Sequence, residues 1–361
     1  MSTTAPWHPD ILDGYESRTL HLGTDPDGEG EVEATLVRRP VGADEQVSGA
    51  VLYVHGFCDY FFQRDMADFY AARGYAFYAL DLRKCGRSRR PGQTAHYVSD
   101  LAFYDAELDR ALEIVHAETG QRVLVSAHST GGLVVALWSH RRHLAALEAG
   151  QRWDSHVSGL VLNSPWFDLQ GSAMLRTVGT QVVRAMAKAK PLDELKLPAG
   201  DAYGTSLHVS GSGEWDYDLR FKPVESFPVT YGWLNAVRRG HARLHRGLDV
   251  GVPSLVLRSD ATKFARRYSP DVDVVDMVLD VAHIARWSGC LGNAVTALPV
   301  PGARHDVFLS KQPARDAAYA AVDRWLHQWV RPGEAQAELS ELSGLSGLSG
   351  RTSSTTSNSS S

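Results

Sequence analysis

The sequence predicts an α/β fold: a mostly parallel sheet covered on both faces by helices, with an inserted helical cap. Two features of the pattern and one break in it predict this. Runs of unbroken hydrocarbon, such as "GAVLYVHG" at 49–56 and "RVLVSAHS" at 122–129, alternate with amphipathic stretches such as "YDAELDRALEIVHAETG" at 104–120. Strands without polar alternation are buried on both faces, as in a parallel sheet packed between helices. The rhythm then breaks, because residues 168–250 separate two such strands by far more chain than a crossover requires.

The elements follow in order. "SRTLHLG" and "VEATLVRRP" flank "TDPDGEG", two strand-like runs around a Pro-Asp-Gly turn, which reads as a hairpin. After the strand at 49–56, "MADFYAARG" at 66–74 has helical spacing and stops at Gly74. "YAFYALDLR" at 75–83 is a strand. The helix at 104–120 places Leu108, Ala111, Leu112 and Val115 on one face and ends at Gly120. The strand at 122–129 runs straight into a helix at 130–147. Strands are expected at 157–165, 252–260 and 294–303, and a closing helix at 314–330. The core is therefore 1–167 with 251–330, the inserted cap 168–250, and the tail 331–361 low in complexity and expected to be disordered.

Composition narrows the function classes. With 361 residues, 43% of them apolar, the chain can bury a large core. A net charge of -5 and no clustered basic face argue against nucleic acid. The short basic runs at Arg87–Arg90 and Arg141–Arg142 read as solvated faces. Cys58, Cys85 and Cys290 are widely spaced and form no CxxC pair, so neither a disulfide framework nor a zinc site is expected. No signal peptide and no spanning apolar stretch is seen, and a cytoplasmic setting is the expectation.

The chemistry concentrates in "SAHSTGG". A strand that turns sharply into a helix holds its turn residue in a strained conformation and lifts that side chain clear of the sheet. Small residues must flank the turn, because strand and helix crowd there. Ala127 and Gly131 stand two positions either side of Ser129, giving a G-x-S-x-G nucleophile elbow with alanine first. The same string also reads as a plain helix N-cap; what separates the readings is whether a base is available. A serine needs one to take its proton. "LPVPGARHDVFLS" supplies His305 between the last core strand and the last helix. The imidazole needs an acid, in the chain order Ser, Asp, His. Asp260, Asp276 and Asp280 qualify by order. Asp260 ends "SLVLRSD"; Asp276 opens a loop-to-helix start 29 residues before His305. Asp276 is preferred and Asp260 is the alternative. For the oxyanion, the amide of Thr130 at a helix N-terminus and that of Phe57, after Gly56 in "YVHGFCDYFF", are the candidate donors.

Taken together, "LYVHGFCDY", "ALDLRKCGRS", "SAHSTGG", "PSLVLRSD" and "PGARHDVF" resemble, in order over 49–330, the α/β-hydrolase superfamily. The resemblance is to the monoacylglycerol lipase, lysophospholipase and serine aminopeptidase-like branch. It implies the α/β-hydrolase fold and hydrolysis of a carboxylic ester, less often an amide, through an acyl-enzyme without cofactor or metal. The branch's H-G-x-x, D-x-R-G-x-G-x-S and G-H-S-x-G-G fall on His55-Gly56, on Asp81, Arg83, Gly86 and Ser88, and on His128, Ser129, Gly131 and Gly132. Two residues depart. Ala127 replaces a glycine, and Lys84 stands where a glycine is common, so a differently shaped loop is expected after "ALDLR". The acid also departs: the branch's distance to histidine favours Asp276, its distance to the strand Asp260.

The inserted segment is expected to lie over the serine as a lid. "MLRTVGTQVVRAMAKAK" sets Leu175, Val178, Val182 and Met186 on one helical stripe. An apolar lid suits a small-molecule ester with an apolar acyl group, and its basic residues allow peripheral contact with an anionic membrane. An aminopeptidase or amidase on the same residues would grip a substrate amine with a cap carboxylate: Asp193, Glu194, Asp201, Glu214 or Asp216. The same residues are also compatible with an acyltransferase, or with a ligand-binding protein of this fold that has no catalytic activity.

Overall fold

A single sheet organises the chain. The computed structural model describes residues 6–330 apart from 43–44, 153, 155, 171–172 and 197–199, and apart from the side chains of 171–178. The tail expected to be disordered, 331–361, lies outside the described residues. Three strands form an antiparallel edge: β1 (His8–Pro9), β2 (Glu16–Thr24) and β3 (Glu31–Arg38). The remaining strands, β4 (Gly49–Val54), β5 (Tyr75–Asp81), β6 (Val123–His128), β7 (Val157–Asn163), β8 (Ser254–Ser259) and β9 (Val295–Val300), are parallel to one another. The order across the sheet is β1-β2-β3-β5-β4-β6-β7-β8-β9, with β3 antiparallel to β5 at the join.

Every residue of β4, β5 and β6 is buried, as continuous hydrocarbon demands. Successive side chains feed opposite layers. Leu52 and Val54 join Leu108, Leu112, Leu133 and Trp138 on one face. Val51 and Tyr53 join Met66, Tyr70, Ala318 and Trp325 on the other. The first layer is built by α2 (Asp105–Thr119) and α3 (Thr130–Glu148), the second by α1 (Arg64–Ala71) and α8 (Gln312–Trp329). The α2 face expected from spacing is the buried one, and Gly120 ends the helix at φ 66°.

One local expectation needs correcting. Arg87 is not on a solvated face: it bonds Asp10 at 2.7 Å and Asp81 at 2.9 Å, largely buried. Lys84 takes a left-handed conformation that suits glycine, φ 59°, and its buried ammonium bonds Asp25 at 2.6 Å and Glu29 at 2.7 Å. Those two carboxylates come from the hairpin turn, so two ion pairs hold a backbone conformation that normally costs a non-glycine residue about 1–2 kcal/mol.

Between β7 and β8 the chain forms α4 (Ala173–Ala189), α5 (Ala202–Leu207) and α6 (Tyr231–Leu244). The stripe expected on α4 fails at Val182, which is 54% exposed while Val183 is turned inward; Met186 is half-buried. The reason is the neighbour: α4 packs on α6, whose Arg238 donates Nε–H to Thr180 Oγ1 at 3.1 Å, and Thr180 and Val183 share that side. Leu175 and Val178 have side chains outside the described set. Among the described residues, no helix is long and apolar enough to cross a membrane.

Candidate active site

Ser129 sits between the last residue of β6 and the first of α3, with φ 53° and ψ −119°. A β-carbon rarely tolerates that conformation. Packing enforces it here. A Cβ on Gly131 would come within 2.3 Å of the His55 carbonyl, and one on Gly132 within 2.7 Å of Pro165 Cβ. The helix therefore starts as close to the β4 loop as backbone permits. From the other side, a Cβ on Gly56 would meet Ser129 Cβ at 3.0 Å.

His305 follows β9 and places Nε2 3.0 Å from Ser129 Oγ. Its Nδ1 lies 2.9 Å from Asp276 Oδ2. The other Asp276 oxygen accepts the amides of Val278 at 2.8 Å and Leu279 at 2.7 Å. Acceptance on both sides orients the carboxylate and leaves the imidazole with Nδ1 protonated and Nε2 free to accept from the serine. All three side chains are buried. Asp260 is exposed and, among the described residues, accepts only the Gly302 amide, at 3.0 Å. Asp280 caps α7 (Val281–Trp287) by accepting the Ala282 amide at 2.9 Å.

The conflict between the two acid distances has a geometric origin. After β8 the chain leaves the sheet and comes back: Asp276 N–H donates to the Ala261 carbonyl at 2.8 Å, and Lys263 N–H to the Asp276 carbonyl at 3.0 Å. Asp276 thus lies beside Thr262, just beyond the strand end, although it is far along the sequence. The detour packs against the inserted segment, with Val272 and Met277 on Ala202.

Phe57 and Thr130 border the same cavity as Ser129 and His305. Among the described residues, neither backbone amide donates to another group. His55 fixes the loop that carries Phe57: its Nε2 accepts the Leu82 amide at 3.1 Å and its Nδ1 lies 2.7 Å from the Gly56 carbonyl. The cavity has a volume of about 260 Å³. Phe57, Trp166, Tyr203, Tyr217 and Trp233 make its walls aromatic, and among the described residues no aspartate or glutamate borders it. Phe57 and Trp233 are in contact, with ring centroids 4.3 Å apart. The stretch 213–223 contributes Tyr217, Lys222 and Pro223.

Sequence reading missed the polar layer behind the serine. Asp59 Oδ1 accepts from Lys222 Nζ at 2.7 Å, and Asp59 Oδ2 lies 3.4 Å from His128 Nδ1. Burial alone would push the Asp59 carboxyl up, but Lys222 and His128 outweigh it and hold the group below the usual carboxylate range. Asp306 accepts from Asn163 at 2.6 Å and Gln63 at 2.9 Å, which anchors the loop next to His305. The only sequence signal was an aspartate adjacent to the histidine; a pair such as Asp59 and Lys222 leaves none.

Residues 45–267 match the family model described as serine aminopeptidase, S33. The chain belongs to this family. The chain, built on the α/β-hydrolase fold, is also similar to solved structures. A soluble variant of monoglyceride lipase from Saccharomyces cerevisiae, in complex with a substrate analog, aligns with TM-score 0.59 at 15% identity over 91% of this chain and 96% of that one. A highly thermostable carboxyl esterase from Bacillus coagulans, in complex with glycerol, gives 0.58 at 14% over 87% and 99%. A monoacylglycerol lipase from Paleococcus ferrophilus gives 0.55 at 18% over 86% and 98%. No curated protein matches the S33 chain.

Proposed function

We propose that this protein is a serine hydrolase that cleaves carboxylic esters of small molecules through an acyl-enzyme on Ser129. The observation that carries the reading is the continuous line from Ser129 Oγ to His305 Nε2 at 3.0 Å and from His305 Nδ1 to Asp276 at 2.9 Å. In this reading Ser129 Oγ attacks the acyl carbon while its proton passes to His305 Nε2. Asp276 stabilises the resulting imidazolium, and the amides of Phe57 and Thr130 receive the oxyanion, each worth about 3 kcal/mol in the barrier. His305 returns the proton to the departing alkoxide. Water then enters by the same base and releases the acid.

An ester is favoured over a peptide amine by the walls. Gripping a free amine needs a carboxylate in the cavity, and among the described residues none is there. The candidates lie elsewhere: Glu214 bonds Lys311, Asp193 faces Lys190, Glu194 is exposed, Asp216 is near His208, and Asp201 borders a separate surface hollow. The undescribed residues 171–172 and 197–199 contain no acid. The aromatic and aliphatic walls around Ser129 suit an apolar acyl or aryl group.

The test is fluorophosphonate labelling with turnover of p-nitrophenyl esters of increasing acyl length, beside an aminoacyl amide. Labelling and ester turnover are both expected to be lost in Ser129→Ala, and the acyl-length series defines the preferred acyl group. A folded wild-type protein that takes no label and cleaves no ester overturns the reading; preference for the amide replaces it with an aminopeptidase.

A further inference from the structure

Lys222 is a lysine of the inserted segment whose ammonium is buried beside the nucleophile turn. Its Nζ bonds Asp59 at 2.7 Å and lies 5.8 Å from the ring centres of Phe62 and Tyr217. Asp59 belongs to the loop after β4 and faces His128, the residue before Ser129. The His128 ring is 4.9 Å from the His305 ring. A chain of contacts thus runs from the insert to the imidazole opposite the serine.

The charges around these two rings explain why a lysine is held there. Asp59 faces His128 from the β4 loop, and Asp306 lies 3.9 Å from the same nitrogen. Asp276 holds His305 from the β8 loop. Tyr203 packs its ring 5.8 Å from His305, and Tyr217 stands beside Lys222. His55 approaches from β4, close enough to act on Asp59. Three buried carboxylates therefore surround two imidazoles. Among the described residues lining the cavity, Lys222 is the one lysine or arginine. Unpaired buried carboxylates are costly and raise the proton affinity of nearby bases.

We propose that Lys222 is a positioning residue for the hydrolysis: through Asp59 it fixes His128 and the Ser129 turn, and its charge keeps His305 free to accept the serine proton. The inference rests on the proposed function for its purpose, and its test reads His305 directly. Imidazole NMR titration of the full chain follows His305 in wild type, K222M, K222R, D59N and K222M/D59N.

Removing the cation alone leaves Asp59 facing the imidazoles, so K222M moves the His305 titration to higher pH. K222R and K222M/D59N return it to within a few tenths of wild type. D59N shifts it down, which tests the same idea if K222M does not fold. Turnover of a p-nitrophenyl ester by K222M then loses its acid limb at a higher pH than wild type. An ion pair that only ties the insert down lowers stability and leaves the His305 titration in place in every variant; that result overturns the proposal. A wild-type protein that neither labels nor turns over, with the shifts observed, refutes the hydrolysis and leaves the electrostatic coupling standing.

Discussion

The parallel core and the inserted segment divide the labour around one cavity. From the core come Ser129, His305, Asp276 and the two free amides, each at the C-terminal end of a strand. From the insert come Tyr203, Tyr217, Lys222 and Trp233, which shape the space in front of them. Core positions are fixed by backbone proximity: at Gly131 there is no room for one carbon. Insert positions combine close backbone approach with side chains reaching across: a Cβ on Gly204 would come within 2.4 Å of the Val224 carbonyl, while Lys222 reaches Asp59 and His241 reaches the Trp166 carbonyl at 2.9 Å. In the proposed reading the reacting groups are thus held by the loops of the sheet, and the cavity walls by contacts between insert and core.

The hardest blow to this division falls at the acid. Asp276→Asn keeps the shape and removes the charge, and the amide can turn its NH₂ toward His305 and stabilise the wrong tautomer. A loss of about 10⁴ in kcat with little change in KM is expected. It is measured by single-turnover hydrolysis of an activated ester. If Asp276→Asn turned over normally, the core would not hold the whole reactive set.

A methyl group separates the regions next. Gly131→Ala pushes a Cβ to 2.3 Å from the His55 carbonyl and 2.9 Å from that of Val54, so strand and helix must part. A destabilisation of about 1–3 kcal/mol is expected, with turnover falling because the turn at Ser129 shifts. In the insert, a Cβ at Gly179 meets nothing among the described residues. Gly179→Ala in the interior of α4 should stabilise by about 0.5–1 kcal/mol through helix propensity. Urea unfolding of both variants gives the two signs; like signs would mean that α4 is packed as tightly as the turn at Ser129.

This contrast also explains what was legible in the sequence. The elbow was readable because its constraint is local: Ala127, Ser129, Gly131 and Gly132 lie within six residues of one another. The sheet was readable from the runs of hydrocarbon. The acid was ambiguous because its position depends on a detour that returns to Ala261, and a closing hydrogen bond between 261 and 276 has no sequence signature. Lys84 read as a disruption because its partners, Asp25 and Glu29, lie in a distant hairpin. Val182 on α4 was misplaced because amphipathic spacing fixes a period while its neighbour, α6, fixes the phase.

His241 joins the regions and makes the union sensitive to acid. Burial, aided by Arg238, pulls its pKa down to about 3, from an ordinary value of 6.5. The folded state therefore favours the neutral ring, while the unfolded chain takes up a proton below pH 6.5. The cost is absent above that value and grows as pH falls toward 3. Between pH 7 and pH 5 it amounts to about 2 kcal/mol from this residue. His245, also pulled down by burial, adds in the same direction. Unfolding midpoints should fall between pH 7 and 5, and His241→Gln should flatten that slope. An unchanged slope would place the acid sensitivity in the core.

The smallest effect expected is the most discriminating for the loop after β8. Asp260 and Asp276 both follow that strand, and an aspartate directly at a strand end is the simpler way to reach His305. The structure instead gives Asp260 to the Gly302 amide at 3.0 Å, in solvent, where an asparagine oxygen accepts the same bond. Asp260→Asn should leave kcat and KM within about twofold, since an exposed hydrogen bond to a neutral acceptor differs little from one to a charged group. If the detour through residues 263–275 opened during turnover, Asp260 would be the carboxylate left at the strand end to replace Asp276. The double variant Asp260→Asn/Asp276→Asn tests that directly. With a fixed loop it is no worse than Asp276→Asn alone. With a loop that exchanges acids, the second substitution removes the remaining activity.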